Sequence, residues 1–234
     1  MTADILSAAY SGDKKSIARV ISLIENQIEI HLQQPSHIVP VIGITGPPGA
    51  GKSTLVDALI GEYVQVEKSV AVLCVDPSSV VHQGAILGDR IRMSQWFNHE
   101  KVFIRSLSSR GSMGGLHPAI GKIKLFMQAC PFDLILIETV GVGQSEIEII
   151  KHADKTLLVL VPEAGDEIQL MKSGIVEVAD LFVVNKVDRP GSNIFVTQLS
   201  NMLKSKSSSK QVCSTIATKS EGVAELKKMI DALI

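Results

Sequence analysis

The sequence predicts an α/β fold, doubly wound around a mainly parallel sheet of about seven strands, with a helix in front of it. Seven short apolar runs alternate with stretches of helical periodicity, the pattern of repeated strand–helix–strand crossovers. Hydrophobic residues make up 45% of the chain and aromatics only 4%, the aliphatic bias of strands covered on both faces by helices. A chain of 234 residues suits one large domain with a short appendage, at roughly 100–200 residues per domain.

The first element is an amphipathic helix from Lys15 to Leu32, where Ile17, Val20, Ile21, Ile24 and Ile28 recur at helical spacing. Gln33 to His37, with Pro35, ends it. Residues 1–37 therefore read as a helical extension and 38–234 as the main domain. Strands follow at Val39–Thr45, Val70–Asp76, Val102–Leu107, Leu134–Thr139, Thr156–Val161, Leu181–Asn185 and Val212–Ala217. Helical patterns lie between and after them at Ser53–Tyr63, Pro118–Ala129, Ser145–His152, Asp166–Ala179 and Gly222–Ile234. In the last, Val223, Leu226, Ile230 and Leu233 form one apolar stripe. Lys204–Lys210, rich in Ser and Lys, reads as an exposed loop.

Lys plus Arg is 23 and Asp plus Glu is 24, so no net field draws the chain to nucleic acid or to an anionic membrane. No apolar run approaches the ~20 residues of a membrane-spanning helix, and Asp4, Gly12 and Asp13 interrupt the start, so a cytoplasmic protein is expected. Cys74, Cys130 and Cys213 sit apart in apolar segments and are expected to be buried thiols.

Gly46-Pro47-Pro48-Gly49-Ala50-Gly51-Lys52-Ser53 matches G-x-x-x-x-G-K-[ST], between a strand and the helical run that begins at Thr54. Glycines let backbone N–H groups curl around phosphate oxygens, and the helix N-terminus adds positive potential. Lys52 is expected to reach the β- and γ-phosphates and the Ser53 hydroxyl to ligate Mg²⁺. The motif alone does not choose between ATP and GTP.

Asn185-Lys186-Val187-Asp188 supplies that choice. It ends a strand on the sheet edge where nucleotides bind in open α/β folds. The Asp188 carboxylate can accept from N1–H and the 2-amino group of guanine, whereas adenine would leave it unsatisfied. Asn185 would brace neighbouring loops, and the Lys186 stem would lie along the base. At Ile216-Ala217-Thr218 a backbone N–H could meet guanine O6. Glu138, ending its strand before Thr139-Val140-Gly141, is placed beside the metal, and Gly141 could sense the γ-phosphate. Asp76 and Asp89 are further candidates for the metal shell. Lys52, Glu138 and Asp76 are the candidate catalytic residues.

With these residues in hand, the chain resembles the MeaB/ArgK family of P-loop GTPases, chaperones of adenosylcobalamin-dependent methylmalonyl-CoA mutase and related acyl-CoA mutases. The most specific segments are Val75–Ser79, Ile86–Asp89, Arg105–Gly115 and Glu138–Glu146. The resemblance implies that Lys52 and Ser53 serve phosphate and Mg²⁺. It assigns Asp76, Asp89 and Glu138 to the metal and switch region, and Asp188 to guanine. It also implies that Gly165–Gln169, with Lys172, is an extra switch loop that speaks to the mutase. The chain departs from the family pattern at His82-Gln83 before Gly84, and at Ile216-Ala217 where Ser-Ala is usual. One helix follows the last strand where the family's dimerising arm would continue, so a homodimer by that arm is not expected, though another route stays open. The expected activity is slow GTP hydrolysis, accelerated by the partner. A P-loop kinase that phosphorylates a protein or small molecule, and a nucleotide sensor without turnover, are the alternative readings.

Overall fold

The computed structural model describes residues 2–35, 38–76, 93–108, 116–139, 148–162, 175–205 and 210–234. The seven apolar runs are strands: β1 Val41–Thr45, β2 Val70–Asp76, β3 Val102–Ser108, β4 Leu134–Glu138, β5 Lys155–Leu160, β6 Leu181–Asn185 and β7 Gln211–Thr215. They form one sheet in the order β3-β2-β4-β1-β5-β6-β7, and every pairing between them is parallel. β1, β4 and β6 are buried at every residue. That is why these strands read as unbroken apolar runs without polar alternation.

Side chains of alternating residues leave the sheet on opposite sides. Ile42, Ile44, Leu134, Leu136, Leu157 and Val159 face α3 (Lys52–Gln65) and the C-terminal helix Val223–Asp231, in one apolar cluster. On the other side Val41, Ala71, Leu73, Ile135 and Ile137 meet α1 (Thr2–Tyr10), α2 (Lys14–Glu25) and α4 (Ile120–Gln128). Further along that side, Leu158, Leu160, Phe182 and Val184 meet Phe195, Leu199 and Leu203 of α6 (Ser192–Ser205). A short helix, α5 (Ile175–Val178), precedes β6, and the C-terminal helix is α7. Among the described residues no helix is long and apolar enough to cross a membrane.

Three expectations need correction. The helix expected to run to Leu32 stops at Glu25. Asn26 caps it through its N–H to Ile24 and Ser22 carbonyls, and Gln27 then takes φ 58°. The apolar residues that prolonged the pattern serve other ends, since Ile30 is buried outside any helix or strand and Ile28 is 47% exposed. Helix α1 is an additional element, held by Tyr10 packing 5.8 Å from the Phe126 ring. Helix α6 was not expected either. Its Ser- and Asn-rich face masks a stripe of Phe195, Leu199 and Leu203 at i, i+4 and i+8. Of the helices expected at Ser145–His152 and Asp166–Ala179, the described parts are a 3₁₀ turn at Ile149–Lys151 and α5. The expected loop Lys204–Lys210 is partly described, with helix α6 reaching Ser205.

The strand order places the site. From β1 the chain moves outward to β2 and β3, returns as β4 beside β1, then crosses to β5 on β1's other side. Successive connections leave β1 and β4 in opposite directions, so a crevice opens at their carboxyl ends, where open α/β sheets bind ligands.

Candidate functional site

The turn after β1 is built from glycines in conformations other residues resist. Gly46 has φ 141°, and a Cβ there would stand 2.1 Å from the Val159 carbonyl oxygen of β5. Gly51 has φ 88°, and its Cβ would meet Asn185 Nδ2 at 2.5 Å. The loop can therefore lie against β5 and the β6 end only as a glycine loop. Pro48 and Gly49 are exposed at its mouth. Gly51 is also the cap of α3 and supplies no side-chain acceptor, so the first N–H groups of this 14-residue helix point at the crevice with their positive end.

Lys52 and Ser53 open the helix and are both buried. The Lys52 ammonium donates to the carbonyls of Gly46 at 2.8 Å and Pro47 at 3.1 Å, folding back over the loop. Ser53 Oγ donates to Glu138 Oε1 at 2.6 Å. The sheet register explains the second contact. Glu138 pairs with Ile44, two residues before Gly46, so the last carboxylate of β4 arrives beneath the helix start. Hydroxyl and carboxylate oxygens held this close are the hard donors Mg²⁺ takes, together with phosphate oxygens and water. Among the described residues no group of three or more His, Cys, Asp or Glu gathers as a metal cage.

The β6 end closes the crevice from the other side. Asn185 is 2% exposed. Its Nδ2 donates to the Ala50 carbonyl at 2.9 Å, and its Oδ1 accepts from Thr215 Oγ1 at 3.2 Å and the Ala217 N–H at 3.1 Å. One amide thus joins the phosphate loop, β6 and the turn after β7. Lys186, at φ 60°, lays its stem over the loop and donates to the Gly49 carbonyl at 2.7 Å. Asp188 is exposed on the turn that follows, which the Arg189 N–H and the Ser192 hydroxyl close by bonding to the Lys186 and Val187 carbonyls.

The backbone N–H groups of Ile216 and Ala217 are engaged by Glu221 O and Asn185 Oδ1 in this structure. Thr218 lies exposed in the 3₁₀ turn Ala217–Lys219. Thr54 is half-buried on the first turn of α3. Asp76 ends β2 in register with Ser108, and its side chain lies outside the described residues. So do Asp89, the His82-Gln83-Gly84 segment, Val140–Glu146 and Gly165–Lys172.

Sequence reasoning missed the buried pair that joins β1 to β4 at the crevice floor. Thr139 Oγ1 lies 3.1 Å from Thr45 Oγ1, and the Thr139 N–H donates to the Ile44 carbonyl at 3.0 Å. Threonine at a strand end is too common to signal such a pair, and only the parallel register brings them together.

The model of the family described as methylmalonyl-CoA mutase-associated GTPase MeaB matches residues 17–233. A relative in Pyrococcus abyssi that carries a GTPase name is 41% identical over 239 residues, covering 97% of this chain and 74% of that one. A fused isobutyryl-CoA mutase of Cupriavidus metallidurans is 38% identical over 197 residues, covering 80% of this chain and 18% of that protein. The crystal structure of an LAO/AO transport system kinase superposes with a TM-score of 0.72 at 24% identity, over 99% of this chain and 74% of that one, a likeness of fold.

Proposed function

The chain belongs to the MeaB family of methylmalonyl-CoA mutase-associated GTPases, and we propose that it is the Mg²⁺-dependent, GTP-hydrolysing chaperone of an adenosylcobalamin-dependent acyl-CoA mutase. In this role it gates loading or protection of the mutase's cofactor in the cytoplasm. Guanine nucleotide binding and GTP hydrolysis come with the family. The association with a mutase rests on one observation above others. In the fused isobutyryl-CoA mutase, a stretch homologous to four-fifths of this chain is part of the same polypeptide as a mutase.

The reaction in this reading is in-line attack of water on the γ-phosphorus. Lys52 exchanges the Gly46 and Pro47 carbonyls for β- and γ-phosphate oxygens, while loop N–H groups and the start of α3 hold the remaining charge. Ser53 and Glu138 would hold Mg²⁺, with Asp76 and Asp89 completing its surroundings. The cation, when bound, neutralises phosphate charge that builds up during transfer. Asp188 selects guanine, and Asn185 keeps the base-reading turn and the phosphate loop in one frame. In this reading turnover by the chain alone is slow and rises when the mutase is bound.

The deciding experiment measures phosphate release from GTP and ATP by the chain alone and with candidate cobalamin-dependent mutases. GTP-selective turnover stimulated by a mutase is expected. Label transferred to an acceptor, or no stimulation by any mutase that the chain binds, would sink the reading. Asp188→Asn should cut the preference for GTP over ATP on the order of 100-fold, the worth of one to two charge-assisted bonds.

A further inference from the structure

Residues 93–99, between β2 and β3, are strapped to the helix that follows the phosphate loop. Asp57, on α3, accepts from Trp96 Nε1 at 2.8 Å and from Gln95 Nε2 at 3.0 and 3.1 Å through its two oxygens. One turn further, Gly61 lies beside the indole, where an added Cβ would stand in ordinary contact at 3.6 Å from Trp96 Cζ2. Met93 is wholly buried in the core that α3 shares. The ring of His99 meets Trp96 edge-on at 5.6 Å, and Lys14 Nζ donates to the His99 carbonyl.

Asp57 stands one helical turn beyond Ser53, about 6 Å along the axis. The first turn of α3 is held by protein partners, Ser53 by Glu138 and Lys52 by Gly46 and Pro47. A bound triphosphate would recruit those same side chains. A continuous hydrogen-bonded helix joins that first turn to Asp57. We propose that Asp57 is a positioning residue of the GTPase reaction: through Trp96 and Gln95 it fixes residues 93–99 against the phosphate-loop helix, and so couples nucleotide state to that strap. The inference rests on the GTPase reading above. Among the described residues no hydrogen bond joins the side chain of Asp57 or Trp96 to the phosphate loop, so their effect is on the geometry of turnover and not on nucleotide capture.

Trp96 is the sole tryptophan of the chain, so its emission reports the strap directly. In the full chain, emission is compared between GDP and a non-hydrolysable GTP analogue, and kcat and KM for GTP are measured for wild type, Asp57→Ala, Asp57→Asn and Trp96→Phe. Wild-type emission should differ between the two nucleotides, and Asp57→Ala should abolish the difference. Asp57→Ala and Trp96→Phe should lower kcat about fivefold or more with KM within about twofold. Asp57→Asn, which keeps an acceptor oxygen, should recover most of the rate. A merely structural strap would lower thermal stability and leave kcat of the folded protein unchanged. Equal emission in the two nucleotide states, or an Asp57→Ala kcat within about twofold of wild type, overturns the inference while leaving wild-type GTP hydrolysis, and hence the parent reading, intact. The emission comparison needs binding alone, so it decides the strap even for a chain that fails to turn over.

Discussion

Gly46 and Gly49 are both glycines at positive φ, yet they answer to different constraints. At Gly46 a methyl group would collide with a β5 carbonyl, while at Gly49 nothing lies within 4 Å of the added Cβ. Gly49→Ala should therefore cost only the left-handed strain, about 1–2 kcal/mol. Gly46→Ala adds displacement of sheet backbone and should cost on the order of 3 kcal/mol or more. Urea unfolding midpoints compare the two, and equal losses would contradict the close packing of loop on β5. The eight-residue motif itself is legible in the sequence because each glycine answers a local backbone need. Ser53 meeting Glu138, 85 residues away, and Asn185 meeting Ala50, 135 residues away, are not local needs. Only the position of Glu138 and Asn185 at the ends of apolar runs hinted that they share an edge.

Among the elements, the parallel strands share a device at their starts, where ladder hydrogen bonds run out. Asp133 accepts from the Ser69 N–H, Asp154 from Val41 and Asp180 from Thr156, each at 2.8 Å. A lysine accompanies each carboxylate: Lys68, Lys124 and Lys155. Partial burial pushes the Asp133 carboxyl up, but hydrogen bonds from Lys68 and Ser69, with the charge of Lys68, outweigh it and bring the pKa from 3.8 down to about 2. The ionised form thus favours the folded state. Its stabilisation is complete above the unfolded value of 3.8 and disappears as pH falls from there through about 2. Asp133→Asn should lower stability at pH 7 by about 1 kcal/mol, after allowing for solvent screening of a partly exposed pair. Denaturation midpoints of variant and wild type should converge as the pH approaches 2, and a gap that persists there would assign the loss to something other than ionisation. The strands were read from sequence to within about two residues at each end. Helices α1 and α6 were not, because Ser, Thr and Asn dilute their apolar stripes until packing on the sheet supplies the missing bias.

At the scale of the molecule, phosphate loop, β4 end and β6 end belong to one folded sheet, so a nucleotide binds only the folded chain. GDP at 100 times its Kd should raise unfolding free energy by about 2.7 kcal/mol. Lys52→Ala should erase most of that gain, since the ammonium is held over the loop by the Gly46 and Pro47 carbonyls, where phosphate oxygens would take their place. Thermal melts with and without nucleotide test this, and an undiminished shift in the variant would remove Lys52 from phosphate binding.

What the amino-acid order by itself determined is whatever depends on neighbours a few residues apart: the strand runs, the glycine-hinged turns, the phosphate loop and the Asn185–Asp188 turn at the end of β6. What the tertiary structure decided is adjacency. It alone set β4 and β5 on either side of β1, brought Ser53 to Glu138 and Asp57 to Trp96, and committed the Ala217 N–H to Asn185. Periodicity and backbone preference act over a turn or two of chain, whereas strand order and crossing contacts follow from how whole layers bury their apolar faces, a quantity no short stretch of sequence contains.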